Sequence, residues 1–175
     1  KILGGGMPVG VLCGRTDLFE PAKPDATPDE RVLAGGGTFT ANPMTAVAGL
    51  ATLDVIDEEP VYDHTESLGE RLRDGLDRVF AEEGVDGAAL GFSSMVQVVF
   101  EPDGPLDSPT DVKTGTDGRA VAEFHSRLYD RGYYFNQGSM GNVSYAVTED
   151  HVEGLLDAAR DAVRGMQSDG ILSGA

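Results

Sequence analysis

The chain has 175 residues, 40% of them apolar, and sets 30 acidic side chains against 13 basic ones for a net charge of −17. That length and apolar content suffice for one substantial domain, or a small domain with a piece of another, and exclude a wholly disordered chain. The charge excludes a nucleic-acid binder, which needs a basic stripe to displace counterions from phosphates.

The chain opens on Lys1-Ile2-Leu3-Gly4-Gly5-Gly6-Met7-Pro8-Val9-Gly10. An amine beside a compact glycine backbone can attach an aldehyde cofactor if its surroundings leave part of it unprotonated. A surface lysine ahead of a glycine turn gives the same pattern. Pro8–Gly14 alternates and is rich in Val, which predicts a buried strand. Cys13, the only cysteine, excludes an intramolecular disulfide and reads as a small buried hydrophobe. Residues 16–31, with Pro21, Pro24, Pro28 and several acids, read as an exposed loop. Gly35-Gly36-Gly37-Thr38-Phe39-Thr40-Ala41-Asn42-Pro43 follows. Backbone N–H groups and a hydroxyl after a glycine run can hold a dianion, though a plain turn leading into a strand at Thr38 fits equally. Asn42 and Pro43 suit the N-cap and first turn of a helix reaching about Asp57. Its small Ala46, Ala48, Gly49 and Ala51 permit close packing against another element, and Glu58–Pro60 reads as a hinge.

A long amphipathic helix is predicted over Tyr62–Glu83, with Leu68, Leu72, Leu76, Val79 and Phe80 on one face and Gly84 as its stop. Met95–Phe100 reads as a buried strand and residues 101–118 as a loop. Arg119–Arg131 is the next helix, with Val121, Phe124 and Leu128 on one side and Gly132 closing it. Tyr133–Phe135 and Val143–Ala146 read as two strands. Thr148 caps a last helix carrying Val152, Leu155, Leu156, Ala159, Val163 and Met166, and residues after Gln167 read as a frayed tail. This interleaving favours an α/β or α+β layered domain with helices on one face of a sheet. His64, His125 and His151 are far apart in sequence and predict no metal site. No apolar run approaches the ~20 residues that span a bilayer, and no signal peptide opens the chain. A cytoplasmic location is expected. With only Lys1, Lys23 and Lys113 as lysines, so acidic a surface fits a salt-loving source, or an ordinary acidic cytosolic protein.

The ordered pair Lys1–Gly10 and Gly37–Pro43 resembles the fold-type I, class III aminotransferases, which use pyridoxal phosphate. Within them it is most similar to the glutamate-1-semialdehyde 2,1-aminomutases. There a lysine followed by Ile-(Ile/Leu)-Gly-Gly-Gly-(Met/Leu)-Pro-Val-Gly carries the cofactor, and Gly-Thr-x-x-x-Asn-Pro follows. The likeness continues through Ala46–Asp57, Gly91–Phe100, Asp111–Gly132 and Val143–Ala146, nearly the whole chain.

The resemblance implies the C-terminal portion of a fold-type I transferase. Residues 1–58 would be a remnant of the large cofactor-binding domain, residues 59–166 a small domain with a mixed sheet, and residues 167–175 a tail. It implies Lys1 as the catalytic residue, holding the cofactor and then moving the substrate proton. It implies Gly37 and Thr38 at the cofactor phosphate, with Thr38 reaching across a homodimer interface, and a small amino-acid substrate. Family members are more than twice as long and carry, upstream of the lysine, an Asp-Glu-Val segment for the pyridine nitrogen. The chain is thus expected to be the part of such an enzyme that begins at its cofactor lysine. Two departures bear on substrate. Ala34 stands where the family often has an aromatic residue. Gln137–Asn142 lacks both the acid usual in aminomutases and the arginine by which related aminotransferases hold a carboxylate. An aminotransferase for an ω- or β-amino acid therefore stands beside the aminomutase reading, as does a non-catalytic fragment. A phosphate-loop nucleotide binder is disfavoured, because neither glycine run ends in Gly-Lys-Ser/Thr.

Overall fold

The chain divides at Pro60 in the computed structural model, which describes residues 1–23, 25–32, 36–135 and 140–172. One unit is Lys1–Pro60 and the other Val61–Ala175. Ala34, Gly35 and the segment 136–139, with its departures from the family pattern, lie outside the described residues.

The first unit contains α1 (Thr16–Phe19), a 3-10 turn (Glu20–Ala22) and α2 (Pro43–Glu58). The predicted cap of α2 is present: the Asn42 side chain accepts the Met44 N–H at 2.9 Å, with Pro43 in the first turn. The helix buries only Thr45 and leaves Met44, Val47, Leu50, Leu53 and Val55 exposed. The strand expected over Pro8–Gly14 is absent. Alternation makes a strand only where a neighbouring ladder takes its N–H and C=O groups, and no described residue pairs with this segment. Cys13, expected to be buried, is exposed for the same reason.

The second unit is an α/β layered domain. Its elements are α3 (Val61–Glu82), β1 (Gly87–Leu90), β2 (Met95–Phe100), α4 (Pro109–Thr114), α5 (Gly118–Tyr129), β3 (Gly141–Asn142) and α6 (Glu149–Ser168). The strands lie in the order β1-β2-β3 and pair antiparallel, with Gly87 opposite Phe100 and Met95 opposite Asn142. The alternation in β2 sends Val96, Val98 and Phe100 into the core, where α3 and α5 cover that face and α6 packs on both helices. Phe80, Phe100 and Phe124, one from each of α3, β2 and α5, meet edge to face with centroids 5.3, 5.4 and 6.1 Å apart. Gly69 lets α3 approach the backbone of Ser93 and Ser94: a Cβ there would lie 2.9 Å from the Ser94 Cα and closer still to the Ser93 carbonyl.

Helix ends follow local chemistry. Thr148 and His151 close a capping box at the start of α6, and Asp117 accepts two N–H groups at the start of α5. Gly84 and Gly132 take left-handed φ values of 63° and 88° where α3 and α5 stop.

Four expectations are corrected. Residues 101–118 are not all loop, since Ser108 and Asp111 form a capping box that starts α4. Tyr133–Phe135 is not a strand; its Tyr133 and Phe135 pack on the core as irregular chain. The last strand lies at Gly141–Asn142 rather than Val143–Ala146, with the Val143 N–H completing the register on the Ser94 carbonyl at 2.9 Å. The chain does not fray at Gln167: Leu172 is 4% exposed, Ile171 packs beside it, and the Ile171 N–H returns to the Met166 carbonyl.

Arginines tie α3 to α6. Arg71 reaches Glu149 and Glu153, and Glu83 receives both Arg160 and Arg164 at 2.8–2.9 Å. The Arg164 and then the Arg160 hydrogen bonds hold the Glu83 carboxyl below the usual carboxylate range. A depressed carboxylate stabilises the fold above its unfolded value, about 4.3, and loses that contribution as pH falls through its folded value. Urea unfolding of wild type and Glu83→Gln, compared at neutral pH and below that value, is expected to show a smaller acid-side loss in the variant.

Candidate active site

The first six residues wrap into a tight turn. The Lys1 carbonyl accepts the N–H groups of Gly4 at 3.1 Å and Gly6 at 2.9 Å, and Gly5 takes a φ of +57°. This turn lies directly on α2. A Cβ on Gly5 would stand 3.0 Å from both the Ala48 carbonyl and the Thr52 hydroxyl, and one on Gly49 would stand 3.1 Å from the Leu3 carbonyl. Glycine on both sides of the contact is what brings the lysine to the helix. The close packing expected of α2's small residues is thus used at Ala48 and Gly49.

Lys1, Gly37 and Thr38 line the same broad cavity, of about 1260 Å³, within the first unit. Its wall includes Asn42, Thr45 and Ala46 from the first turn of α2, and apolar Val9, Leu12, Phe39 and Leu50. Among the described residues Lys1 is the only charged one in that lining, and no carboxylate enters it. In a chain of net charge −17 that is a selective exclusion. Thr45 adds a group the sequence did not single out: it is 7% exposed, and its Oγ1 has no hydrogen-bond partner. A buried polar atom without a partner is costly unless a ligand or water completes it. The signal for it was the Asn42-Pro43 cap, which places Thr45 in the first turn, where N–H groups and the helix dipole favour an anion.

These residues fit a phosphorylated aldehyde. A single amine is available for the carbonyl, and hydroxyls, the turn at Gly37 and a helix N-terminus face the same space without a repelling acid. Two of the three histidines are engaged elsewhere. His64 Nε2 lies 2.8 Å from the Val147 carbonyl, and His151 completes the α6 cap. No group of three metal-ligating side chains occurs among the described residues. No helix there is long and apolar enough to cross a membrane.

The fold is that of the fold-type I pyridoxal-phosphate transaminases. An ω-transaminase from Sphaerobacter thermophilus superposes with a TM-score of 0.81 at 31% identity, over 94% of this chain and 37% of that one. The β-phenylalanine aminotransferase of Variovorax paradoxus superposes with a TM-score of 0.79 at 26% identity, over 99% and 38%. In sequence, the glutamate-1-semialdehyde 2,1-aminomutase of Halobacterium salinarum is 38% identical over 187 residues, 93% of this chain and 41% of that protein. The family profile of the class-III aminotransferases matches residues 1–127. The chain belongs to the class-III aminotransferases, whose cofactor is pyridoxal 5′-phosphate. It spans about two-fifths of the length of the curated relatives it matches.

Proposed function

We propose that this chain supplies the lysine side of the active site of a pyridoxal-phosphate enzyme that moves an amino group, as glutamate-1-semialdehyde 2,1-aminomutase does in forming 5-aminolevulinate. The observation that carries the reading is Lys1, alone among charges in the described lining of a cavity at the start of α2, beside the unpartnered Thr45 hydroxyl. When bound, the cofactor supplies an electron sink for the pair left at the substrate Cα. Lys1 Nζ would hold the cofactor at its aldehyde carbon and would carry a proton on and off the substrate Cα. Gly37 and Thr38 would donate hydrogen bonds to a cofactor phosphate, Thr38 to that of a partner subunit, and the apolar wall would keep water from the reacting carbon.

Residues 1–58 are assigned to the large domain and 59–166 to the small one. A homodimer is supported by the exposed apolar face of α2, from Met44 to Val55, which needs a cover. A cytoplasmic, salt-adapted enzyme fits the acidic composition. A second reading, transfer from an ω- or β-amino acid to a keto acid, is favoured by the two structural relatives named above.

Borohydride reduction of the full-length, cofactor-loaded protein, followed by peptide mapping, is expected to place the pyridoxyl group on Lys1. An adduct on another lysine, or none, overturns the reading and leaves the chain a non-catalytic fragment. Measuring 5-aminolevulinate formation against keto-acid-dependent transfer then separates the two chemistries.

A further inference from the structure

Of the three lysines, Lys23 pairs with Glu20 at 2.7 Å, while Lys113 makes no ion pair with any described residue. Lys113 instead lines a cavity of about 400 Å³ in the second unit, remote in sequence from Lys1 and its turn. Its walls come from α4, α5 and β2, and like the first cavity its lining contains no Asp or Glu among the described residues.

A further polar group beside that space has no partner among the described residues. His125, on α5, lines the cavity and is 4% exposed, and its Nδ1 has no hydrogen-bond partner. Its ring stacks on Phe135 at 5.5 Å and 6° between planes, which fixes its orientation. Burial pushes its pKa down, so the imidazole enters neutral solution uncharged. The Thr116 hydroxyl already donates to the Val112 carbonyl at 2.7 Å. The rest of the wall is apolar, with Val112 and Val121 prominent.

We propose that this cavity is a second binding site, for a small carboxylate with a short branched apolar body. The carboxylate accepts from the Lys113 ammonium at the mouth and from a ring N–H of His125 within. Its branched body covers the valines. An acid-free lining within so acidic a chain is what admits an anion here. The site stands independently of the role proposed for Lys1.

Titrating the protein with 3-methylbutanoate while following the imidazole ¹⁵N and ¹H resonances tests it. The His125 signals are expected to move saturably, and not to move with 3-methylbutanamide. Lys113→Gln, an exposed substitution, is expected to weaken the carboxylate by about three- to ten-fold with unchanged circular dichroism. Unmoved His125 signals, as for a cavity holding only water, overturn the proposal. So does equal response to the amide, or unaltered affinity in Lys113→Gln.

Discussion

Lys1→Ala in the full-length, cofactor-loaded enzyme is expected to lower turnover by about 100- to 10,000-fold, the contribution of a positioned proton-transfer group. Among the described residues of this chain, the lining of the Lys1 cavity contains no His, Asp, Glu, Cys or Tyr, and its Thr and Asn side chains are poor bases at neutral pH. Lys1→Arg should not restore the rate, because a guanidinium stays protonated. Added methylamine should restore part of it in Lys1→Ala, by supplying the missing base as a free solute. Single-turnover rates with and without the amine measure this. A variant that keeps most of its activity unaided removes Lys1 from the chemistry.

Phe124→Ala is expected to destabilise the second unit by about 3–5 kcal/mol, the range for truncating a buried aromatic side chain. The ring is 1% exposed and touches Phe80 and Phe100, so its loss opens a void where α3, β2 and α5 converge. Phe92, 72% exposed, is the control: Phe92→Ala should change stability by about 0.5 kcal/mol or less. Urea unfolding midpoints compare the two. Equal shifts would mean that the aromatic cluster does not organise this core.

The three long helices of the second unit were legible because each repeats its apolar residues at helical spacing, and that stripe is the face the structure buries. The Asn42-Pro43 start of α2 was legible because a cap is a local interaction. Strands were harder, since a strand depends on a partner far away in sequence. Pro8–Gly14 has the pattern and no described partner, whereas Gly87-Ala88-Ala89-Leu90 lacks β-branched residues and pairs all the same. Its pairing is helped by Asp77, which accepts the Ala89 N–H at 2.7 Å across 12 positions of sequence. The α4 signal, Ser108-Pro109-Thr110-Asp111, was present but is easily passed over where apolar residues are few. At the site, the lysine and glycine-threonine segments carried the family, as residues 1–127 show. The Asn42-Pro43 cap placed Thr45 in the first turn of α2, but its burial and the absence of acids in the described lining around Lys1 were out of reach, because both depend on how distant segments enclose a space.

The bridges between α3 and α6 are made by arginine, and the chain has just three lysines. A trace of an acylating reagent therefore has few side-chain targets. Lys23 is engaged by a neighbouring carboxylate, while Lys1 and Lys113 each report on one hollow. Mass-spectrometric footprinting of those two amines can follow occupancy of both spaces in one sample, without any label being built into the protein.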